Sequence, residues 1–197
     1  MASSAGKEFP GRLLLQVNLA NGADPATHSF IPIYKAAAEQ EAFAQKLEND
    51  AAWKRFQAAL TKLTKPVAQV RHGTVQSWGD VNDSDSVWVA YAFDVSDSDA
   101  FRGALDKFMT SKTGKNSPAQ VHLSEVVAGG ITPVNHVISV GYASHAEMET
   151  WNDSLGGNSD WKAYIDAARK SSEYLGAGLS RSLKVWGPAS LRDLTAR

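Results

Sequence analysis

Apolar and polar residues alternate with a period of two along "SVWVAYAFDV", residues 86–95, where Val87, Val89, Tyr91, Phe93 and Val95 are interleaved with Trp88, Ala90, Ala92 and Asp94. Such alternation of β-branched and aromatic residues predicts a strand. In "SDSDAFRGALDKFM" the period lengthens: Phe101, Leu105 and Phe108 lie at helical spacing behind Ser and Asp residues able to cap. "AQVHLSEVVAGG" and "TPVNHVISVGYA" read as two further strands joined by a short glycine-containing turn. "SHAEMETWNDSL" opens with Ser144 and Glu147 in capping-box spacing and places Met148, Trp151 and Leu155 on one stripe. A break is predicted at Gly156–Gly157, after which Trp161, Tyr164, Ile165 and Ala168 resume a helical face and "GLSRSLKVWG" closes as a strand. The order is β-α-β-β-α-β, the ferredoxin-like arrangement.

The same pattern occurs twice. "WKRFQAALTKLTKPVAQVRHGTVQSWG" (53–79) and "WKAYIDAARKSSEYLGAGLSRSLKVWG" (161–187) have equal length and open and close alike. At an offset of 108 residues, Gly22 meets Gly130, Pro25 meets Pro133, His28 meets His136 and Tyr34 meets Tyr142, with no gap between 1–79 and 109–187. Roughly a quarter of the aligned positions are identical, as a duplication would leave them. The earlier unit reads β-β-α-β, with strands predicted near Leu13–Leu19, His28–Lys35 and Val67–Trp78. Residues 80–108 have no upstream counterpart, so the first unit lacks its opening strand and helix. The expected organisation is a first ferredoxin-like unit over 1–80, a linker over 81–85, a complete second unit over 86–188 and a tail over 189–197. A sheet with helices on one face must cover its other face, which two such sheets can do for each other. The edge left by the missing strand is expected to be covered by another strand or a partner chain.

Composition narrows the function classes. Hydrophobic residues make up 43% of 197 and charged residues 21%, enough for a core and against global disorder. With a formal net charge of −1 and scattered Lys and Arg, the chain has no basic footprint for nucleic acid. No apolar run is long enough for a membrane span. The absence of cysteine removes disulfides, thiolate metal sites and cysteine nucleophiles. "MASSAGKEFP" has no apolar signal-peptide core, which suits either a cytoplasmic start or a mature secreted chain.

"NHVISVGYASHAEMETWNDSL", followed by "SDWKAYI" and "LSRSLKVWG", resembles the dimeric α/β-barrel superfamily, most of all its antibiotic-biosynthesis-monooxygenase-type branch. The resemblance covers 86–187 and nearly all of 1–79. It implies an α+β fold of duplicated ferredoxin-like units whose antiparallel sheets pack as a dimeric α/β barrel. That superfamily includes cofactor-independent monooxygenases, haem-degrading enzymes, isomerases, cyclases and proteins of no known activity, so fold alone does not fix function.

Candidate site residues fall into two groups. Those repeated in both halves are candidate ligand contacts: His28 and His136 at strand entrances, Tyr34 and Tyr142 at the ends of the same strands, and Trp78 and Trp186 closing the last strands. Simple alternation puts Trp78 with His72, Thr74 and Gln76, and Trp186 with Ser180, Ser182 and Lys184, on the face away from the helices. Two active sites rarely stay equivalent after duplication, so the repeated histidines also suit a structural tie. Residues that differ between halves are the candidate catalytic groups: His72 aligns with Ser180, His122 with Leu14 and Glu125 with Val17. A histidine can act as a base near neutral pH, and a carboxylate on an apolar face is either exposed or raised in pKa. No phosphate loop, metalloprotease helix or metal-ligand spacing is present.

Two readings follow. One is a monooxygenase-like enzyme without cofactor that acts on a small apolar or aromatic substrate, with His72, His122 or Glu125 as base and Trp78 or Trp186 as wall. The other is a non-catalytic binding or assembly module. Haem binding is a third. No nucleic-acid or membrane partner is expected, and a homo-oligomer is.

Overall fold

The structure is a computed structural model that describes residues 4–196. After a short helix α1 (Ser4–Lys7), the chain forms β1 (Arg12–Ala20), β2 (His28–Ile33), α2 (Ala37–Glu48), α3 (Ala51–Leu63) and β3 (Val70–Trp78). It continues with β4 (Val87–Val95), α4 (Ser98–Thr110), a single 3₁₀ turn, β5 (Gln120–Gly129) and β6 (His136–Tyr142). α5 (His145–Leu155), α6 (Ser159–Ala168), β7 (Ser172–Trp186) and α7 (Leu191–Thr195) complete it. Every predicted strand is present, although β7 begins earlier than its sequence pattern suggested.

Local chemistry accounts for the boundaries. The Asp97 side chain accepts from Ala100 N and caps α4. Ser144 accepts from Glu147 N to cap α5, and Glu147 Oε2 accepts from Ala143 N at 2.8 Å, so the predicted capping box is closed one residue upstream of its usual partner. Both helical arms break in the same way. Asp50 caps α3 by accepting from Trp53 N, and Asn158 caps α6 by accepting from Trp161 N. Each cap supplies an acceptor for an orphan backbone N–H of the new helix.

All seven strands join one curled antiparallel sheet in the order β2-β1-β7-β4-β6-β5-β3. The two ends of the chain's pattern are interlocked: β7 pairs with β1, and β3 pairs with β5. The two interlocking ladders have the same register at the 108-residue offset. Leu13 faces Trp186 and Val121 faces Trp78; Gln16 faces Ser182 and Ser124 faces Thr74; Asn18 faces Ser180 and Val126 faces His72. Both ladders carry two bulges, at matching positions. The β1–β2 and β5–β6 hairpins match as well, with Val17 opposite His28 and Glu125 opposite His136.

The repeated Trp-Gly has a backbone cause. Gly79 (φ 82°) and Gly187 (φ 109°) sit in the left-handed region, and a Cβ there would lie 2.3 Å from Ala119 O and 2.1 Å from Gly11 O. Only glycine meets both demands.

The core lies between one face of the sheet and α4, α5 and α6. Phe101, Leu105 and Phe108 of α4 pack with Leu123, Ile138, Val140 and Tyr142 of the sheet and with Tyr164 and Ala168 of α6. The Phe108 ring meets Trp161 at 5.2 Å and Tyr164 at 5.5 Å. The first half is far less covered. Its own cluster is small: Phe9 meets Tyr34 at 5.3 Å and Phe43 at 5.2 Å, both edge-on. α3 buries no residue, although Trp53, Phe56 and Leu60 line one side of it. Phe56 is 42% exposed, whereas Tyr164 at the matching position of α6 is 7% exposed. The difference is α4, which packs on α6 and has no counterpart over α3 among the described residues. Among the described residues β2 and β3 each pair along one edge only, so the edge expected to be covered is open there.

Truncating the matched aromatics tests this asymmetry. Tyr164→Ala is expected to cost about 3–5 kcal/mol, as for large-to-small changes in a packed core, and Phe56→Ala under about 1 kcal/mol. Urea denaturation of both variants checks the contrast.

Candidate functional site

The face of the sheet away from α4–α6 carries the buried polar groups. On β4, Val87 and Val89 point into the core, so Trp88 between them points to the opposite face. On β5, Val121 and Leu123 are core, and Gln120, His122 and Ser124 alternate with them, all buried. Trp88 lies across Gly141, its cross-strand partner on β6. A Cβ at Gly141 would come within 2.9 Å of the indole and 3.0 Å of Gln120 Cγ, so glycine makes room for the ring. The indole stacks on His122, with centroids 6.1 Å apart and planes inclined by 26°.

A hydrogen-bonded chain runs through this face. Gln120 Nε2 donates to Asp85 Oδ2 at 2.7 Å and to Asn82 O at 3.0 Å. Two acceptors around Nε2 fix the amide, which leaves Oε1 as the acceptor facing His122 Nε2 at 3.0 Å. Burial pushes the His122 pKa down to about 4, so the ring is neutral at pH 7. Nε2 therefore carries the proton and donates to Gln120. Nδ1 is left to accept from the Ser77 hydroxyl at 2.8 Å. Asp85 is nine-tenths buried; desolvation raises its pKa, and hydrogen bonds from Gln120 and Asn82 oppose the rise.

The arrangement Ser77–His122–Gln120–Asp85 has the connectivity of an activated serine, but its energetics do not suit one. An imidazole whose conjugate acid has a pKa near 4 is a weak base, whereas a general base works best near the operating pH. The chain links Ser77 of β3 through β5 to the 82–85 segment, and Trp88 stacks on its histidine. Among the described residues, two buried donors on this face lack any partner, Trp88 Nε1 and Ser182 Oγ. Close by, Ser180 Oγ donates to the buried Gln16 Oε1 at 3.0 Å, and Ser180 is the cross-strand partner of Trp88.

The sequence-derived candidates do not assemble into one site. Glu125 is three residues beyond His122 on β5 and therefore points to the opposite face. Its carboxylate lies 3.6 Å from His136 Nε2 and is half exposed. His136 is buried; Asn135 Oδ1, which also accepts from Val95 N, faces its Nδ1 at 2.9 Å. Desolvation lowers the His136 pKa, and Glu125 partly opposes this. His136 thus ties a strand entrance to its loop. His28, its counterpart, is exposed on β2, with Nδ1 3.0 Å from Thr27 Oγ1. His72 is exposed on the edge strand β3, opposite Val126. Tyr34 packs on Phe9, and Tyr142 is buried in the core, where desolvation raises both phenols.

The expected placement of the two tryptophans is corrected by the bulges. On β3 a bulge between Thr74 and Gln76 flips the side-chain alternation, so Gln76 and Trp78 join Leu123 and Val121 on the helix side. There Trp78 Nε1 donates to Asp106 Oδ1 of α4 at 2.9 Å, and Gln76 Nε2 donates to the same oxygen at 3.0 Å. The matching bulge on β7 puts Lys184 and Trp186 on the side of Leu15 and Leu13, away from Ser182.

Sequence reasoning missed Trp88, Ser77, Gln120, Asp85 and Gln16, while simple alternation puts Ser182 on the face away from the helices, where the structure has it. Gln120 and Ser124 were detectable as the polar members of the alternation that holds His122. The others become visible only through cross-strand register. Haem fits the repeated histidines poorly: His136 has both ring nitrogens beside Asn135 and Glu125, and His28 stands on an open strand without walls. Among the described residues no group of three or more His, Asp or Glu side chains is placed to hold a metal ion, and no helix is long and apolar enough to cross a membrane.

No family model matches the chain, and no curated protein matches it. Solved structures do. An anthrone oxidase-like protein has a TM-score of 0.60 at 11% identity, covering 93% of this chain and 81% of its own. A protein from Lactobacillus acidophilus, provisionally named a monooxygenase, gives 0.55 at 12% identity, with 91% and 80% covered. One from Fusobacterium nucleatum subsp. nucleatum, also provisionally named a monooxygenase, gives 0.54 at 13%, with 92% and 81% covered. At these identities the likeness shows the fold.

The buried histidine has a measurable consequence. Between pH 6.5 and about 4 the unfolded chain binds a proton at His122 that the native state does not, so stability falls as pH drops through that window. The contribution is about 3 kcal/mol. His136 acts in the same direction, and the raised Asp85 acts oppositely at the acid end. His122→Leu, which copies Leu14 of the other half, is therefore expected to flatten the dependence of stability on pH without abolishing it. Urea titrations of both proteins from pH 7 to 4.5 check this.

Proposed function

We propose that the chain is a duplicated, ferredoxin-like protein of the dimeric α/β-barrel type that binds a small, flat molecule bearing an acceptor oxygen on the polar sheet face beside Trp88. One observation carries the reading: Trp88 Nε1 and Ser182 Oγ are buried donors without acceptors. A buried donor left unpaired costs about 1–3 kcal/mol, and such groups call for a partner. A phenol, quinone or aromatic ketone offers an acceptor to the donors and a flat ring for the Trp88–His122 stack. The fold shared with an anthrone oxidase-like protein and two proteins provisionally named monooxygenases supports this ligand class. The matched registers and bulges support the duplication.

Binding is favoured over proton abstraction by His122. Burial lowers the His122 pKa to about 4, which makes the ring a poor acceptor for the proton of a phenol of ordinary acidity. Oxidation without a cofactor would then depend on a substrate acid enough to ionise on its own. The alternative is a non-catalytic module, and the weakness of this base favours it among phenols of ordinary acidity.

A thermal-shift panel of anthrone, phenols and quinones tests the reading. A ligand at a hundred times its Kd stabilises by about 2.7 kcal/mol, which raises Tm by several degrees. The expected result is a hit that Trp88→Phe weakens at least about tenfold by removing the donor but not the ring. No shift across the panel would refute small-molecule binding. Oxygen uptake with the hit that is lost in His122→Leu would overturn the ranking of binding over catalysis.

A further inference from the structure

We infer that the open side of the first half, bounded by the edges of β2 and β3 and the bare face of α3, is a docking surface for one strand–helix segment of another polypeptide, patterned like β4–α4. The inference goes beyond small-molecule binding and rests on the matched registers, so it stands or falls separately from the Trp88 site.

The molecule contains its own template. β4 lies between β6 and β7, pairing with both. β6 corresponds to β2 and β7 to β3 at the 108-residue offset. A strand equivalent to β4 would therefore lie between β2 and β3, the two ends of the open sheet. Its helix would cover α3 as α4 covers α6.

The surfaces left bare are those this element would bury. Phe30 on β2 is 48% exposed, and its counterpart Ile138 on β6, beside β4, is 5% exposed. Phe56 and Leu60 on α3 are 42% and 37% exposed, and their counterparts Tyr164 and Ala168, under α4, are 7% and 5% exposed. The polar contacts point to the same occupant. Gln76 and Trp78 both donate to Asp106 of α4. Their counterparts Lys184 and Trp186 are a cation and an indole, a pair suited to an acidic residue at the Asp106 position of the arriving helix. A basic side chain in place of Gln76 strengthens that match.

A second copy of this chain cannot supply the element, because its single β4–α4 is built into its own core. Pro32 removes one donor from β2, so the arriving strand gains fewer hydrogen bonds there and depends more on β3 and on the helix.

The probe is a synthetic peptide of residues 86–111 added to the full chain. Hydrogen exchange is expected to slow at both β2 and β3, and Asp106→Lys in the peptide to weaken binding at least about tenfold. A scrambled peptide should do neither. Because a free peptide can aggregate, residues 80–108 are also fused directly ahead of Met1, the join that preserves the 108-residue spacing. The fused protein is expected to be monomeric, with β2 and β3 protected and a Tm several degrees higher. Unprotected edges in the fused protein would overturn the inference. So would an unmodified chain that dimerises through β2 and β3 and excludes the peptide.

Discussion

The pairing of each half's last strand with a strand of the other half, β7 with β1 and β3 with β5, is the constraint on which the rest depends. β7 on β1 and β3 on β5 join the halves into one sheet, and both ladders use the same register and the same bulges. A slip by one residue in either ladder would turn every side chain to the other face. The bulges then decide which residues meet which layer: Trp78 and Gln76 reach α4 only because the strand gains a residue before them. The Trp-Gly pairs follow from the same geometry, since each glycine backs onto the start of the strand it joins.

The two halves differ in opposite ways on the two faces of this sheet. Toward the helices, the second half has a well-packed core, and the first half is bare where, among the described residues, α4 has no equivalent. On the other face, the position 108 residues before the buried His122 holds the buried Leu14, apolar in the first half and the middle of a polar chain in the second. Burial makes that histidine a weak base, and the amide and hydroxyl on either side fix its tautomer. Both hold the ring in place, and on this face Trp88 Nε1 and Ser182 Oγ have no partner among the described residues. This face thus carries a stacked indole, a neutral imidazole and, among the described residues, buried donors without a partner.

The sequence by itself determined the elements and their order. Period-two alternation marked the strands, capping residues and apolar spacing marked the helices, and the unbroken 108-residue offset marked two matching patterns. These features are local or depend on self-comparison, so they survive without knowledge of contacts. His122 was legible as a residue that differs between halves, because its aligned partner is leucine.

Only the tertiary structure decided what faces what. Bulges are invisible to simple alternation, and they moved Trp78 and Trp186 off the face that counting assigned them. Glu125 and His122 looked like members of one site in sequence, yet an odd spacing on an unbroken strand sends them to opposite faces. Ser77, Gln120 and Asp85 gained meaning only when strands distant in sequence brought them to hydrogen-bonding distance. Trp88 gained its meaning from Gly141, whose missing side chain leaves space for the indole across the sheet. Sequence fixes periodicity because periodicity is a property of one segment; a site is a property of several segments in register, and register is settled by packing.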